Sequence, residues 1–278
     1  MKGGQVIDFH VHIGNLFRDE HPWSELSVHQ LVDHMNRHNI DIGVLLPCES
    51  PEAAPGYFLT EHALAARDMY PDRLIAFVSV DPRMPRYLEQ IEVFVKHHGC
   101  RGFGELINGL AFDDPRNKAI YAKCDEYGLP LVFEINKDYC YDDTKLSRLE
   151  ACLKEFPNVK FCGHGPGFWA AISGDYDARG GYPTGPVVPG GPVDRLLGEY
   201  DNLYADISAR SGYNALTRDP EFTEGFVERH WHKLLFGSDI MGPGWDIPQL
   251  RWLEEMELSS EIRWAIAEGN ARRILGLD

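Results

Sequence analysis

The sequence predicts an α/β protein that folds as one (β/α)8 barrel of the TIM type. Short β-branched apolar runs alternate with longer amphipathic segments, eight such runs can be counted, and 278 residues is a usual size for one barrel. We therefore expect a single domain over residues 1–278. The alternative is an open doubly wound sheet, but no glycine-rich phosphate loop follows the first strand and no Gly-Lys-Ser/Thr element occurs.

The predicted strands are rich in Val, Ile, Leu and Phe, and each ends at polar or turn residues. In chain order they cover residues 6–10, 40–46, 74–80, 101–106, 129–135, 159–164, 202–207 and 234–239. Amphipathic patterns predict helices at residues 27–38, 59–69, 87–98, 117–127, 144–156 and 260–275. Helix-stop signals such as Gly128-Leu129-Pro130 lead directly into the next strand.

The connection after the sixth strand is unusual. Residues 165–192 are rich in glycine and proline, carry several aromatic side chains and show little helical periodicity. Loops of this length within one domain often form lids or walls of binding sites. We expect a long loop that covers the barrel mouth, and the alternative is a surface excursion without a role.

Composition restricts the classes of partner. A formal net charge of −16 disfavours binding to a nucleic-acid backbone, and no long uncharged apolar stretch predicts a membrane span. The six cysteines form no C-x-x-C pair, which predicts reduced thiols. We expect a cytoplasmic protein without a signal peptide that acts on a small-molecule substrate, with a homo-oligomer left open.

Two histidines on the first strand are the strongest chemical signal. His10 and His12 are two residues apart, so their side chains share one face of the strand and can reach one ion. Gly14 follows them and marks the end of the strand. A pair of half-buried histidines without a ligand is the alternative interpretation.

Polar residues at the ends of other strands support a metal site. Glu105, Glu134, His164 and Asp239 end the fourth, fifth, sixth and eighth predicted strands. In a barrel these ends meet at one face, where catalytic groups lie. Imidazole nitrogen and carboxylate oxygen suit a divalent ion, and we expect zinc, with manganese or iron as alternatives.

These features together resemble the amidohydrolase superfamily, in particular its compact metal-dependent hydrolases and decarboxylases of the amidohydrolase-2 type. The shared motifs are His-x-His on the first strand, an acidic end to the fourth strand, a histidine on the sixth, Gly237-Ser238-Asp239 on the eighth, and Glu268-Gly269-Asn270-Ala271 in the last helix. The resemblance covers nearly the whole chain.

The resemblance also implies roles for the site residues. His10, His12 and Asp239 would bind the more buried ion, and His164 would bind a second ion or polarise the substrate. Asp239 would carry the proton from the attacking water to the leaving group.

The sequence departs from the family pattern in two places. Glu134 stands where a histidine is usual, and no lysine ends the fourth strand, so a carboxylated-lysine bridge is not expected. Glu105 can bridge two ions instead. Charge balance with Glu105, Glu134 and Asp239 favours two ions over one, although Glu134 as a protonated acid or a substrate ligand is the alternative.

We predict a metal-dependent hydrolase that uses metal-activated water on a lactone, ester or amide. One alternative is a non-oxidative decarboxylase or hydratase, and another is a barrel that binds a metal or senses a ligand without catalysis. For substrate binding we predict Arg179, Arg210 and Trp169, with the two arginines holding a carboxylate; the alternative is that the arginines form salt bridges on the surface. Asp206, at the end of the seventh strand, is predicted to orient a ligand histidine.

Overall fold

The structure is a computed structural model that describes residues 5–16, 25–52, 54, 57–177 and 181–277. Eight parallel strands form its centre. They are β1 (Ile7–Val11), β2 (Ile42–Leu45), β3 (Leu74–Ala76), β4 (Phe103–Leu106), β5 (Pro130–Glu134), β6 (Lys160–His164), β7 (Leu203–Asp206) and β8 (Leu234–Leu235). Neighbours in the chain pair as β1-β2-β3 and as β4-β5-β6-β7-β8.

Backbone hydrogen bonds join these two groups of strands at both edges. Between β3 and β4, the Val78 N–H donates to Gly102 O and the Gly104 N–H donates to Val78 O, each at 2.9 Å. Between β1 and the segment after β8, the Phe9 N–H donates to Phe236 O at 2.9 Å. The eight strands therefore form the TIM barrel that the sequence predicts.

Helices cover the outside of the strands. They are α1 (Val28–Arg37), α2 (Thr60–Met69), α3 (Tyr87–Lys96), α4 (Pro115–Tyr127), α5 (Ser147–Glu155), α6 (Gly165–Ala170), α7 (Pro192–Glu199), α8 (Ala209–Thr217), α9 (Pro220–His230), α10 (Pro248–Glu255), α11 (Ser260–Trp264) and α12 (Asn270–Leu275). A 3-10 turn at Trp231–Lys233 precedes β8, and a π-helical turn at Ala265–Gly269 joins α11 to α12. The single helix predicted at residues 260–275 is thus a helical run with one wide turn.

The connection after β6 differs from the prediction at its start. It begins with helix α6, in which Pro166 occupies the first turn, where a missing N–H costs nothing. Phe168 and Trp169 on this helix are buried, so their packing stabilises it although the sequence shows little helical periodicity. Tyr182, farther along, is 52% exposed, and the lid over the barrel mouth stays a prediction.

An apolar layer lies beneath the carboxyl ends of the strands. Val132 and Cys162 are fully buried and belong to one apolar cluster with Phe77. They precede Glu134 and His164 by two residues, so each pair shares a strand face. The polar end of the barrel therefore packs on a buried apolar layer.

Within the described residues no helix is long and apolar enough to span a membrane.

Candidate metal centre

His10 and His12 turn their Nε2 atoms toward each other, 2.9 Å apart. Their outer nitrogens are occupied: His10 Nδ1 lies 2.6 Å from Asp206 Oδ2, and His12 Nδ1 lies 2.8 Å from Leu46 O. Both partners are acceptors, so each Nδ1 carries the hydrogen and each Nε2 presents a lone pair. Two lone pairs this close are stabilised by a cation between them.

Two carboxylates complete this group. Asp239 Oδ1 lies 3.4 Å from His10 Nε2 and 3.2 Å from His12 Nε2. Glu105 Oε2 lies 3.5 Å and 3.6 Å from the same two atoms. Asp239 has a φ of +55°, and its N–H donates to His10 O at 2.9 Å, which holds its side chain beside β1. A sparsely populated backbone conformation at a site residue is typical of functional positions.

His164 faces the same centre from β6. Its Nε2 lies 3.9 Å from Glu105 Oε1 and 3.9 Å from Asp239 Oδ2, and its Nδ1 lies 3.0 Å from Ser208 Oγ. Glu105 Oε1 is buried and has no hydrogen-bond partner among the described residues. A buried carboxylate oxygen without a partner is costly, so this atom also fits a cation.

Glu134 forms a second group of candidate ligands with Glu105 and His164. Ligand atoms of Glu105, Glu134 and His164 all lie within 4.8 Å of one another, and the amide of Asn136 donates to Glu134 Oε1. Burial raises the pKa of Glu134 to about 8, with repulsion from Glu105 and Asp239 adding to the shift. Without a cation this carboxyl holds a proton, whereas a divalent ion beside it favours the ionised form.

Without a bound cation, the carboxylates give the site an excess of negative charge. Burial lowers the pKa of His10, but Asp206, Glu105 and Asp239 together raise it well above the ordinary value. Of these carboxylates, Glu105 and Asp239 lie 3.5 Å and 3.4 Å from His10 Nε2, so they favour a positive charge at that atom. The lone pairs, the unpartnered Glu105 oxygen and this excess negative charge all fit a divalent ion. The structure thus brings all six predicted ligands together.

Asp206 orients His10, as the sequence predicts. It is fully buried, and burial raises its pKa while the His10 ring lowers it below the ordinary value. Its backbone carbonyl accepts a hydrogen bond of 2.8 Å from Trp169 Nε1. Trp169 is 1% exposed and supports β7 through this bond, and its contact with a substrate stays a prediction.

The Asp206→Asn variant is expected to bind divalent metal about 10 to 100 times more weakly. An amide can donate to His10 Nδ1, which moves the ring proton to Nε2 and blocks the lone pair that faces the ion. A competition titration with a chromophoric chelator measures the change. The exposed Asp201→Asn is the control, and equal affinity in Asp206→Asn and the wild type would contradict the role of Asp206.

Gly237 leaves room for this arrangement. A Cβ atom at this position would lie 2.8 Å from Asp206 Oδ1 and 2.9 Å from the Cβ atoms of His10 and Ser208. We expect Gly237→Ala to lower the free energy of unfolding by about 1–3 kcal/mol, because the buried neighbours cannot move apart freely. Thermal unfolding measures this, and Gly185→Ala, whose Cβ meets nothing within 4 Å, is expected to show no comparable loss.

Of the two predicted arginines, only Arg210 is described. It is exposed and lines a cavity next to the metal centre, whereas Arg179 lies outside the described residues.

The carboxylates of the site change the pKa of Tyr182 in the long loop. Burial raises the pKa of this phenol, and the negative charges of Glu134 and Asp239 raise it further.

The sequence analysis did not predict three residues that support the metal centre. Asp8 Oδ1 accepts the Ser238 N–H at 2.8 Å and so ties β1 to the end of β8, and its spacing of two from His10 is a usable signal. Cys48 Sγ lies 3.8 Å from Glu105 Oε2. Burial and the charge of Glu105 raise the pKa of this thiol, so it stays protonated and donates. Ser208 contacts His164, and no sequence pattern marks it or Cys48.

A cavity of about 260 Å³ opens above these groups. The site contributes His12, Glu105, Glu134, His164 and Asp239 to its lining, and the remaining wall is mainly apolar, with Leu16, Ala54, Ile107 and Met241. Its volume lies just below the usual range of about 300–1,000 Å³ for ligand pockets. The cavity therefore suits a small substrate.

The family model for amidohydrolases matches residues 7–277 of this chain. The chain belongs to the amidohydrolase family. Members of this family are enzymes, and the candidate ligands found here agree with its use of metal ions. No curated protein matches the chain.

Solved structures with this fold include both decarboxylases and hydrolases. A TIM-barrel protein from Bordetella bronchiseptica is 17% identical, with a TM-score of 0.72 and coverage of 98% of this chain and 99% of that one. A dihydroxybenzoic acid decarboxylase from Polaromonas with bound manganese is 15% identical, with a TM-score of 0.65 and coverage of 99% and 98%. A probable 2-pyrone-4,6-dicarboxylic acid hydrolase from Acinetobacter baumannii is 18% identical, with a TM-score of 0.63 and coverage of 98% and 99%. At these identities the similarity concerns the fold.

Proposed function

We propose that this amidohydrolase hydrolyses a small lactone, ester or amide at a centre of two divalent ions. The observation that carries the proposal is the position of the Glu105 carboxylate. Its Oε2 faces His10 and His12, and its Oε1 faces His164 at 3.9 Å. A carboxylate whose two oxygens face separate ligand groups is suited to bridge two ions.

The charges support two ions. Glu105, Glu134 and Asp239 bring three negative charges into a buried space, and two divalent ions bring four positive ones. With all three carboxylates ionised, a single ion leaves a net negative charge that burial makes costly, so a centre of one ion requires Glu134 to keep its proton. His10, His12, Asp239 and Glu105 would hold one ion, and Glu105, Glu134 and His164 would hold the other. We infer zinc from the mixed nitrogen and oxygen donors, with manganese or iron as alternatives.

The bound ions, Asp239 and the apolar wall would have different roles in the reaction. When bound, the ions supply Lewis-acid polarisation of the carbonyl and a lower pKa for the attacking water. Asp239 would accept a proton from that water and return it to the leaving group. Leu16, Ile107 and Met241 form an apolar part of the cavity wall. A bound substrate packed against them would displace water and strengthen these electrostatic interactions.

The proposal includes a cytoplasmic location and a small-molecule substrate. All six cysteines are free and buried, which agrees with a reducing compartment. The small cavity above the carboxylates supports the size of the substrate.

A non-oxidative decarboxylase is the second candidate. The apolar part of the cavity wall favours it, because a poorly solvated carboxylate loses CO2 more readily. The dihydroxybenzoic acid decarboxylase with the same fold contains manganese, which agrees with such an activity on this scaffold.

Metal content measured together with two activity screens tests the proposal. We expect elemental analysis of the reconstituted protein to find two ions per chain, and Glu134→Gln to retain one. A lactone and ester panel is expected to yield acid release in the wild type and not in Glu134→Gln. One ion per chain with CO2 release from aromatic carboxylates would establish the decarboxylase instead. Ligand binding without turnover in either screen would indicate a non-catalytic barrel.

A further inference from the structure

The turn after β5 is closed by the side chain of Asn136. Asn136 Oδ1 accepts the N–H groups of Asp138 at 2.8 Å and of Tyr139 at 3.0 Å. The Asn136 N–H donates to Tyr139 O at 3.1 Å. An asparagine side chain that bonds to the backbone two residues on stabilises a tight turn, so Asn136 determines the position of Tyr139.

The other end of the same amide contacts a candidate metal ligand. Because Oδ1 accepts two backbone N–H groups, Nδ2 is the atom that faces Glu134, and it donates to Glu134 Oε1. An amide donor satisfies this oxygen without adding charge to a group of carboxylates. Asn136 therefore links Glu134 to the turn that carries Tyr139.

Tyr139 and Glu134 both line the metal-centre cavity, and Tyr139 is partly exposed. Burial raises the pKa of the Tyr139 phenol and the negative charge of Glu134 raises it further, so the hydroxyl keeps its proton and lies within electrostatic reach of Glu134. This hydroxyl donates to Glu52 O at 3.4 Å, which is longer than the usual O–H···O range of about 2.5–3.0 Å. A ligand oxygen at a normal distance would replace this weak bond.

The lining of the cavity restricts the charge of the group that Tyr139 can bind. The described residues that line it include three carboxylates and no lysine or arginine. Arg210 lines the neighbouring cavity instead. Apart from ions at the metal centre, an anionic group beside Tyr139 would find no cation there, whereas an uncharged oxygen needs only the phenol as a donor.

We propose that Tyr139 binds an uncharged oxygen of the substrate and that Asn136 positions Tyr139 for this contact. The substrate class is then a small lactone, ester or amide with an ether, keto or hydroxyl oxygen away from the reacting carbonyl. The inference rests on the proposed function only in assigning this oxygen to a hydrolysed substrate. Tyr139 is the binding residue, and Asn136 acts through it.

Binding of two lactams tests the contact without turnover. The probes 2-piperidone and 3-morpholinone share one ring size and differ by a CH2 group that an ether oxygen replaces. In calorimetry we expect 3-morpholinone to bind the wild type about fivefold more tightly, as one neutral hydrogen bond allows, and Tyr139→Phe to bind both equally. Tyr141→Phe is the control, because Tyr141 is 41% exposed and does not line the cavity.

Two variants of Asn136 separate its positioning role from a general loss of structure. Asn136→Asp keeps an oxygen that accepts the two N–H groups, so it is expected to retain the preference for 3-morpholinone. Asn136→Ala is expected to lose the preference and to show faster hydrogen exchange at the amides of Asp138 and Tyr139. Combining Asn136→Ala with Tyr139→Phe is expected to add nothing. Asn158→Ala is the control, since the exposed Asn158 also donates to a carboxylate, that of Asp125.

The titrations are run with added zinc and again with chelator, so their outcome is separate from the ion count and turnover that test the proposed function. We expect the same preference in both conditions. Equal affinity for the two lactams in the wild type, no saturable binding of either, or a preference that Tyr139→Phe retains would each overturn the inference. Tighter binding of 6-oxopiperidine-2-carboxylate that is lost in Tyr139→Phe would show that Tyr139 takes an anion and would overturn it as well. An unchanged preference in Asn136→Ala would contradict the role of Asn136.

Discussion

His10→Ala is expected to reduce metal affinity by more than about 100-fold, the upper range for loss of a residue that only orients a ligand. His10 Nε2 lies within 3.5 Å of His12, Glu105 and Asp239, so its removal takes away the central donor of the group. Chelator competition and elemental analysis of the purified variant measure the effect.

The control for this variant is His34→Ala. His34 is also buried, at 3% exposure, but lies on α1 away from the proposed ligands. Its replacement removes a buried ring of equal size, so any general loss of stability appears in both variants. Retention of the wild-type metal content and affinity by His10→Ala would contradict the proposed centre.

Asp239→Asn is expected to lower kcat by about 10²- to 10⁴-fold at saturating metal, the usual contribution of a positioned acid or base. The amide cannot accept the proton of the attacking water, while its oxygen can still face the histidine pair. Steady-state kinetics on the substrate identified by the lactone and ester panel measures the loss, with the exposed Asp72→Asn as control. A variant with wild-type kcat would show that another residue moves the proton.

Periodicity and strand-end chemistry predicted most of the fold and the proposed ligands. The alternation of apolar runs and amphipathic segments predicted eight parallel strands, because each strand of a barrel is buried on both faces. The i, i+2 spacing of His10 and His12 placed two imidazoles on one strand face. Such local patterns are readable because strand geometry repeats every two residues.

Other features could not be read from local patterns. Trp169 is buried on helix α6 and donates a hydrogen bond to Asp206 O, a contact between residues 37 positions apart that no periodicity describes. Cys48 and Ser208 contact site residues through loops whose paths no periodicity describes. The hydrogen bond from His12 to Leu46 O depends on where β2 ends relative to β1, which is a property of strand register.

The sequence by itself determined the barrel, the side-chain types at the strand ends and their common edge, because these follow from short-range geometry and from the direction of parallel strands. The tertiary structure alone decided which nitrogen of each histidine faces inward and how the two oxygens of Glu105 divide between separate groups. Those outcomes depend on hydrogen bonds between residues as far apart as His10 and Asp206, whose relative positions are set only when the barrel closes.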